Sequence, residues 1–502
     1  MTVKDAGAVA GSGGVIYEAT GKDYFKKREL KRSTGAFGLW AIGVAAVVSG
    51  DFSGWNGGIA EAGWGGMVIA AIIVYIMYYC MLNCISEMAS AMPHTGGAYS
   101  FARAAMGPWG GFVTGLAETV EYVMTAATIT YFSSAYADSI CSGLTGYSLD
   151  DHGLQWVWWI IMYVIFVALN WAGAEASFRF SEIITIMSLA VLAFFAIVAI
   201  ASGQVDFSSL FDIQPDAGQS TFLPHGVGAI FFAMPFAMWL FLGIEQLPLA
   251  AEEVRDPEKN IPLASRRCIW TLGVTAILVV LLNPSVMGAS ALGDSEEPLL
   301  DGFRAVLPGN VASVLSLFAL VGLLASIQGI MFAYARNLYS LSRAGYYPRF
   351  LSLTGKRKTP YWGLIVGAVI GFAALFVIAY GSEGAGSVVL NIAVWGAVLA
   401  YVLQMASFVL LRMKMPNIKR PFVSPFGVAG AVVAGVLALC ILVATLLNPS
   451  YRLAVYAMVA IYAIALIVFA VYGRKHLVLS PEEEFAASGG TQVYKTSESG
   501  EV

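Results

Sequence analysis

The sequence predicts an all-α polytopic membrane protein with about 12 transmembrane helices, and three observations carry that reading. Of 502 residues, 58% are hydrophobic and only 12% charged, whereas soluble domains run near a quarter charged. The charges are also bunched: 62–86, 153–174, 183–205, 268–293, 305–335, 359–382, 384–411, 421–451 and 453–473 contain no Asp, Glu, Lys or Arg. Each gap is long enough to cross about 30 Å of hydrocarbon as a helix, which takes roughly 20 residues. Finally, the charges between the gaps alternate in sign along the chain, as they do when loops face opposite sides of a membrane.

One set of loops is basic. It holds Lys22, Lys26, Lys27, Arg28, Lys31 and Arg32, then Arg103, Arg179, Arg255, Lys259, Arg266 and Arg267. The same side continues with Arg336, Arg343, Arg349, Lys356, Arg357, Lys358, Arg412, Lys414, Lys419, Arg420, Arg474 and Lys475. The other set carries Asp138, Asp150, Asp151, Asp206, Asp212, Asp216, Asp294, Glu296, Glu297, Asp301 and Glu383, with only Arg304 and Arg452 among them. Basic loops stay cytoplasmic, so the protein is expected in the cell membrane with both termini cytoplasmic. The residues before 35 are polar, so no cleavable signal peptide is expected.

Two spans carry helix breakers together with an acid. The first reads VVSGDFSGWNGG at 47–58, with Asp51 among four glycines. The sixth reads FFAMPFAMWLFLGIEQLPLAAEE at 231–253, with Pro235, Gly243, Glu245 and Pro248 inside it. Unwound backbone survives in a membrane only where it lines a cavity or is buried in protein. Interruptions at corresponding positions of two halves point to a transporter site on an inverted repeat. The expected organisation is a cytoplasmic N-terminal tail, 1–34; a first five-helix repeat, 35–202; and a second, 225–412. Two additional helices at 421–473 and a disordered cytoplasmic tail at 474–502 follow. Glycine also serves plain close packing of helices, but two matched interruptions, each with an acid, favour a site.

Other classes lack their chemistry. The chain has no HExxH, no GxSxG in a span and no glycine-rich phosphate loop, so neither an enzyme nor an ATP-driven pump is expected. No metal or other cofactor is expected: Cys80, Cys84, Cys141, Cys268 and Cys440 show no ligand spacing with histidine, and His94, His152, His225 and His476 fall in or near loops.

The sixth span and following loop, GIEQLPLAAEEVRDPEKNIPLA at 243–264, resemble a signature of the amino acid–polyamine–organocation (APC) superfamily. So do SEMASAMPHTGGAYSFARAAMGPWGGFVTG at 86–115, ARNLYSLSRAGYYPRFLS at 335–352, KRKTPYWGL at 356–364 and RPFVSPFG at 420–427. The resemblance covers nearly the whole chain outside the tails. It implies a LeuT-type fold of five plus five inverted helices with two more. Amino acid carriers of this kind commonly have a Gly-Ser-Gly-Ile-Phe type stretch in the first span; here the comparable residues are Ser49, Gly50, Asp51 and Phe52. SGDFSGWN, PHTGGAYSFARAAMGPWGGF and AETVEYV resemble the ethanolamine permease branch.

Residue chemistry points the same way. Free N–H groups at a helix N-terminus attract a carboxylate, and an ionised Asp51 would repel one at close range. A primary ammonium needs a counter-ion and a few acceptors, which Asp51, Ser49, Gly50 and Ser53 can supply. Without a Lys or Arg expected inside a span, Asp51 has no evident internal partner. Trp239 occupies a position where the resemblance places a gating aromatic, and its face can hold an ammonium by cation–π attraction of about 0.5–2 kcal/mol. Phe241 and Gly243 complete the candidate lining of that break, although the neighbouring phenylalanines are individually ordinary packing. Glu245 lies where resembling transporters often carry a proton-sensing acid; hydrogen-bonding the unwound backbone is its plain alternative.

Glu118 and Glu121 share one face of the third span, and with Tyr122 they either line the pathway or form a second cation site. Two carboxylates so close can share one proton; capping a helix interface is the plain alternative. Glu87 reads as structural or as a gate partner of Arg103 or Arg336. Ser326 and Gln328 in the eighth span either complete the polar site or bond between helices. Some proton-coupled relatives carry a lysine in the fifth span, which is absent here. Uniport, exchange, Na+ coupling and H+ coupling therefore all stay open, and no motif encodes an oligomeric state. The expected function is a secondary transporter importing a small primary amine such as ethanolamine. An amino acid symporter or exchanger is the alternative, and a non-transporting amine sensor is the alternative from another class. The expected partners are a small cationic amine and the lipid bilayer, with no nucleic acid.

Overall fold

A computed structural model describes residues 8–21, 23–307, 309–380, 385–448 and 451–490; Lys22, Glu383 and the tail beyond 490 lie outside them. Two short strands come first, β1 (Ala8–Ala10) and β2 (Ile16–Glu18). Helices α1 (Ala36–Val47), α2 (Ser49–Phe52), α3 (Gly57–Ala91), α4 (Gly97–Thr145), α5 (Trp156–Trp171), α6 (Ala174–Ala201) and α7 (Val227–Met238) follow. A 3-10 segment, Ile244–Glu253, leads into α8 (Pro257–Met287), then α9 (Ala289–Gly293), α10 (Pro298–Val306) and α11 (Gly309–Arg343). The chain closes with α12 (Tyr361–Tyr380), α13 (Ala385–Lys414), α14 (Gly427–Leu447), α15 (Arg452–Val471), β3 (Leu477–Val478) and α16 (Pro481–Ala487).

Among the described residues, seven helices are long and apolar enough to cross a membrane, and three shorter ones, Ala36–Phe52, Trp156–Trp171 and Val227–Met238, are equally apolar. Their outward faces are greasy: Ile160, Val164, Ile183, Ile197, Ile277 and Ile464 are all exposed. Such a surface is stable only against hydrocarbon, because a soluble protein rarely exposes large contiguous apolar area. Inside, α4 packs along α13 and α11, and α3 along α7.

The first and last described segments sit together at one end of this bundle, here called the terminal face. β2 pairs antiparallel with β1 and parallel with β3, so the first and last described segments share one sheet. The expectation of a disordered tail from 474 is corrected here, because the chain is folded through β3 and α16. Glu482 and Glu483 are buried. Glu483 accepts from Arg103 at 2.5 Å, Tyr17 at 2.7 Å, Tyr99 at 2.8 Å and Tyr346 at 2.9 Å. Four donors from distant segments compensate that carboxylate, something the local composition of the tail does not reveal. The segment before α1 is tied down in the same way at Arg28, which is buried and donates to Ser352 Oγ at 2.7 Å and Arg349 O at 2.9 Å.

Charged side chains also lie deeper in helices than expected. Arg336 is fully buried in α11 and grips Glu253 with two bonds of 2.9 Å. Arg343 binds Glu252 at 2.6 and 2.8 Å and also meets Glu482. Glu87 does not pair with Arg103 or Arg336; it takes Arg412 at 2.5 Å and Arg420 at 3.1 Å.

Candidate functional site

The first span is one continuous helical rod as far as Phe52, because Val48 between α1 and α2 keeps helical angles (φ −59°, ψ −19°). The break therefore starts later than the glycine at 50 led one to expect. Ser53 is extended (φ −162°, ψ 162°), and the chain turns through Asn56 before α3 begins. Asp51 accordingly lies in the last turn of the rod, at the end where helix carbonyls point outward and the dipole favours a cation. The break is held by distant donors: Tyr136 Oη donates to Phe52 O at 2.9 Å, and Asn56 Nδ2 donates to Leu292 O and Ser295 O, each at 2.8 Å.

Two small residues bring the other helices onto this rod. Gly50 lies so close to the sixth span that a Cβ there would collide with the Trp239 carbonyl oxygen. Ser326 of α11 donates to Ala45 O at 2.6 Å and accepts the Ser49 N–H at 2.9 Å, locking α11 to the helix beneath Asp51.

The sixth span breaks where α7 ends. Pro235 removes one backbone donor a turn earlier, and residues 239–243 turn before the 3-10 segment. Gly243 takes φ +103°, a conformation only glycine adopts without strain. Its N–H donates to Glu245 Oε2 at 3.1 Å, so Glu245 does hydrogen-bond the unwound backbone. Trp239 is buried beside Gly54, with its ring 3.6 Å from where a Cβ would stand. Phe241 is packed between Tyr75 and Tyr78, each 5.6 Å away between ring centroids.

Asp51 is 1% exposed, and among the described residues neither of its oxygens has a hydrogen-bond partner. Thr275 of α8 stands beside it, but its hydroxyl is donated to Leu272 O at 3.2 Å. Ser53 is buried next to the break, its N–H closing the last turn onto Ser49 O at 3.0 Å.

A second acidic group adjoins the sixth-span break. Tyr401 Oη of α13 lies 2.9 Å from Glu245 Oε2, 3.3 Å from Glu121 Oε1 and 3.1 Å from Tyr78 Oη. Glu118, on the same face of α4 as Glu121, does not bond to it. Instead it accepts from Asn337 Nδ2 at 3.2 Å and from Tyr122 Oη at 3.4 Å. Gln328 is drawn away from the break, exchanging bonds of 2.9 and 3.3 Å with Asn170 of α5, so interhelical bonding is its role in this structure. Sequence reasoning missed Tyr78, Tyr136, Thr275 and Tyr401. Thr275 and Tyr401 sit in largely apolar runs, and none of the four hydroxyls shows in the sequence which distant group it meets across the bundle. The clefts at Trp40, Arg266 and Trp270 and at Trp171, Lys356 and Arg357 lie on the surface, lined by none of these acids.

Known proteins place this arrangement. Residues 39–480 match the family model described as amino acid permease. The chain is 28% identical over 443 residues to an uncharacterised transporter of Rhizobium meliloti (strain 1021), covering 87% of this chain and 91% of that protein. It is 25% identical over 472 residues to the methylthioribose transporter of Bacillus subtilis (strain 168), covering 91% and 96%. A branched-chain amino acid permease of the same organism is 26% identical over 481 residues, covering 90% and 96%. A helical membrane chain with an unpaired acid at a helix break and a family match across nearly its whole length is a transporter rather than an enzyme: it belongs to the amino acid permease family.

Proposed function

We propose that this permease imports a small primary amine such as ethanolamine by alternating access, holding the ammonium at Asp51 between the broken first and sixth spans. The single observation behind this reading is the Asp51 carboxylate, buried with both oxygens unpartnered among the described residues. An unpaired buried charge costs several kcal/mol, so a carboxylate kept here calls for a cation that arrives from solution. Three further features favour a cation over a zwitterion. The helix end at Asp51 presents carbonyls rather than N–H groups. The indole of Trp239 lies against Gly54, three residues from the acid. A substrate carboxylate near Asp51 would meet like charge in a low dielectric.

Counting α4 and α11 with the ten apolar helices gives twelve spans, five and five as inverted repeats with two more. The charge asymmetry of the loops supports a cytoplasmic terminal face. The second reading is an amino acid symporter or exchanger, in which Asp51 takes the amino group and the carboxylate binds elsewhere; the likeness to a branched-chain amino acid permease favours it.

Uptake of radiolabelled ethanolamine into proteoliposomes, with amines and amino acids as competitors, decides between them. Competition by small amines and not by zwitterions, lost in Asp51→Asn, is the expected result. Competition by alanine or leucine with transport surviving in Asp51→Asn overturns the amine reading.

A further inference from the structure

We propose that Glu121, Tyr401 and Glu245 form a proton-binding site, with the proton on Glu121, and that its occupancy controls the broken sixth span. The argument is a count of hydrogens. A tyrosine hydroxyl donates one hydrogen bond and accepts two. Tyr401 Oη has three oxygen neighbours within hydrogen-bond distance: Glu245 Oε2, Glu121 Oε1 and Tyr78 Oη. Tyr78 can donate its own proton to Tyr401. The single Tyr401 proton then serves one carboxylate and leaves the other facing a lone pair at close range. The network balances when one carboxyl is protonated and donates to Tyr401.

Glu245 Oε2 already accepts the Gly243 N–H at 3.1 Å and lies closest to Tyr401. It fills the acceptor role on both counts, so the proton belongs to Glu121. The balanced chain runs from the Glu121 O–H to Tyr401 Oη, and from the Tyr401 O–H to Glu245 Oε2.

No other charge does this job. The titratable groups facing the pair are Glu118 and Tyr122 from α4, Tyr78 from α3 and Tyr401 from α13. α11 presents Asn337 to Glu118, and its Arg336 and Arg343 are committed to Glu253, Glu252 and Glu482. α7 carries no titratable residue. Among the described residues, no Lys, Arg or His bonds to Glu118, Glu121 or Glu245. Glu121 is fully buried and Glu245 is 2% exposed, and two ionised carboxylates around one hydroxyl in such a place repel strongly.

The mechanical consequence follows from Gly243. Its N–H is the backbone group that Glu245 holds, and it sits at the left-handed turn where the sixth span breaks. With Glu121 protonated, Tyr401 ties α13 and α4 to that turn. Loss of the proton leaves like charges on the two sides of the tie and releases the turn. A proton taken up or given off at Glu121 is thereby linked to movement of the segment that carries Trp239. That the proton is a coupling ion rests on the transport reading above; where it resides does not.

Two measurements on the full-length protein in lipid vesicles test this. Infrared spectroscopy at neutral pH without substrate should show the C=O stretch of a protonated carboxyl. The wild-type minus Glu121→Gln difference spectrum, in which other buried carboxyls such as Asp51 and Glu118 cancel, should contain that band, and the band should shift in Tyr401→Phe, which keeps the carboxyl and removes its partner. Absence of the band from that difference spectrum overturns the site. In parallel, the ratio of ethanolamine uptake with and without an imposed pH gradient, at clamped voltage, should exceed one in the wild type and fall to one in Glu121→Gln, whatever the absolute rates. An unchanged ratio in that variant overturns the coupling role. Should the wild type take up no ethanolamine at all, the substrate reading fails, and the infrared result alone decides the proton site.

Discussion

Glu253 at the terminal face and Asp51 at the first-span break are both buried acids, and the protein treats them in opposite ways. Glu253 is clamped by two nitrogens of Arg336, each at 2.9 Å, with the guanidinium lying 3.5 Å over the Phe332 ring. Glu87, Glu252, Glu482 and Glu483 likewise each meet an arginine. Asp51 meets no cation among the described residues, and Glu121 and Glu245 face each other and the Tyr401 hydroxyl without one. A resident arginine makes a carboxylate part of the architecture, since neither charge can leave. A carboxylate without one is completed by something mobile, whether an ammonium or a proton. The distinction separates scaffold from site more cleanly than burial does, because both groups are equally buried.

The comparison breaks most sharply at Arg336. Arg336→Ala leaves Glu253 as an uncompensated buried charge, for which a loss of about 3–5 kcal/mol is expected. Thermal unfolding in detergent should show a strongly destabilised protein, and Arg336→Met with Glu253→Leu should recover much of the loss. A lone Arg336→Ala with wild-type stability would mean that the pair is no more structural than Asp51.

Asp51→Asn should do the reverse. No resident cation is stranded by it, so thermal stability is retained or raised, while affinity for ethanolamine falls on the order of 100-fold, as when a charge-assisted contact of about 3 kcal/mol is lost. Unfolding and uptake measured on the same preparation separate the two effects. Loss of stability without loss of transport would move Asp51 into the scaffold class.

Trp239→Leu sharpens the picture at smaller scale. Removing a cation–π contact worth about 0.5–2 kcal/mol weakens ethanolamine competition by about 2- to 30-fold. Trp239→Phe should fall between that variant and the wild type. Equal uptake inhibition curves for all three would confine the indole to packing.

The smallest effect is at the edge of the scaffold. Against the desolvation of its partial burial, hydrogen bonds from His476 and Arg349 hold the Glu18 carboxyl below its ordinary range. A depressed carboxyl contributes stability above its unfolded pKa and loses it as the pH falls through the folded value. Acidification below about pH 4 should therefore raise hydrogen exchange in β2 while leaving α3 and α4 unchanged. Exchange in β2 that does not respond to pH would remove Glu18 from the terminal ties.

What the sequence disclosed follows the range of each interaction. The helices are legible because every charge-free gap is a local property, and so is the matched pair of breaks. Gly243 marks its break where the structure has it. Gly50 does not, because its role is to admit the Trp239 carbonyl rather than to unwind the helix, and close packing and helix breaking both select glycine. The acids of the tail were misread for a related reason. Nothing within PEEEF reveals an arginine 139 or 380 positions away, and only the folded bundle brings Glu482 and Glu483 to Arg343 and Arg103. Tyr401 is illegible on the same ground: its meaning comes from Glu121, 280 positions earlier.

The sheet that joins β2 to β3 has a consequence for how the protein is made. Tyr17 and Glu483 stand 466 positions apart, so one of the first segments to leave the ribosome waits for one of the last. Until then Arg103 and Arg343 are in place on their helices without the glutamates that complete them. A nascent chain stopped short of 482, by a nonsense codon or a stalled ribosome, carries almost every helix of the bundle, yet Arg103 lacks its carboxylate and Arg343 keeps only Glu252 of its two. The terminal face is therefore complete only when the last helix has been made.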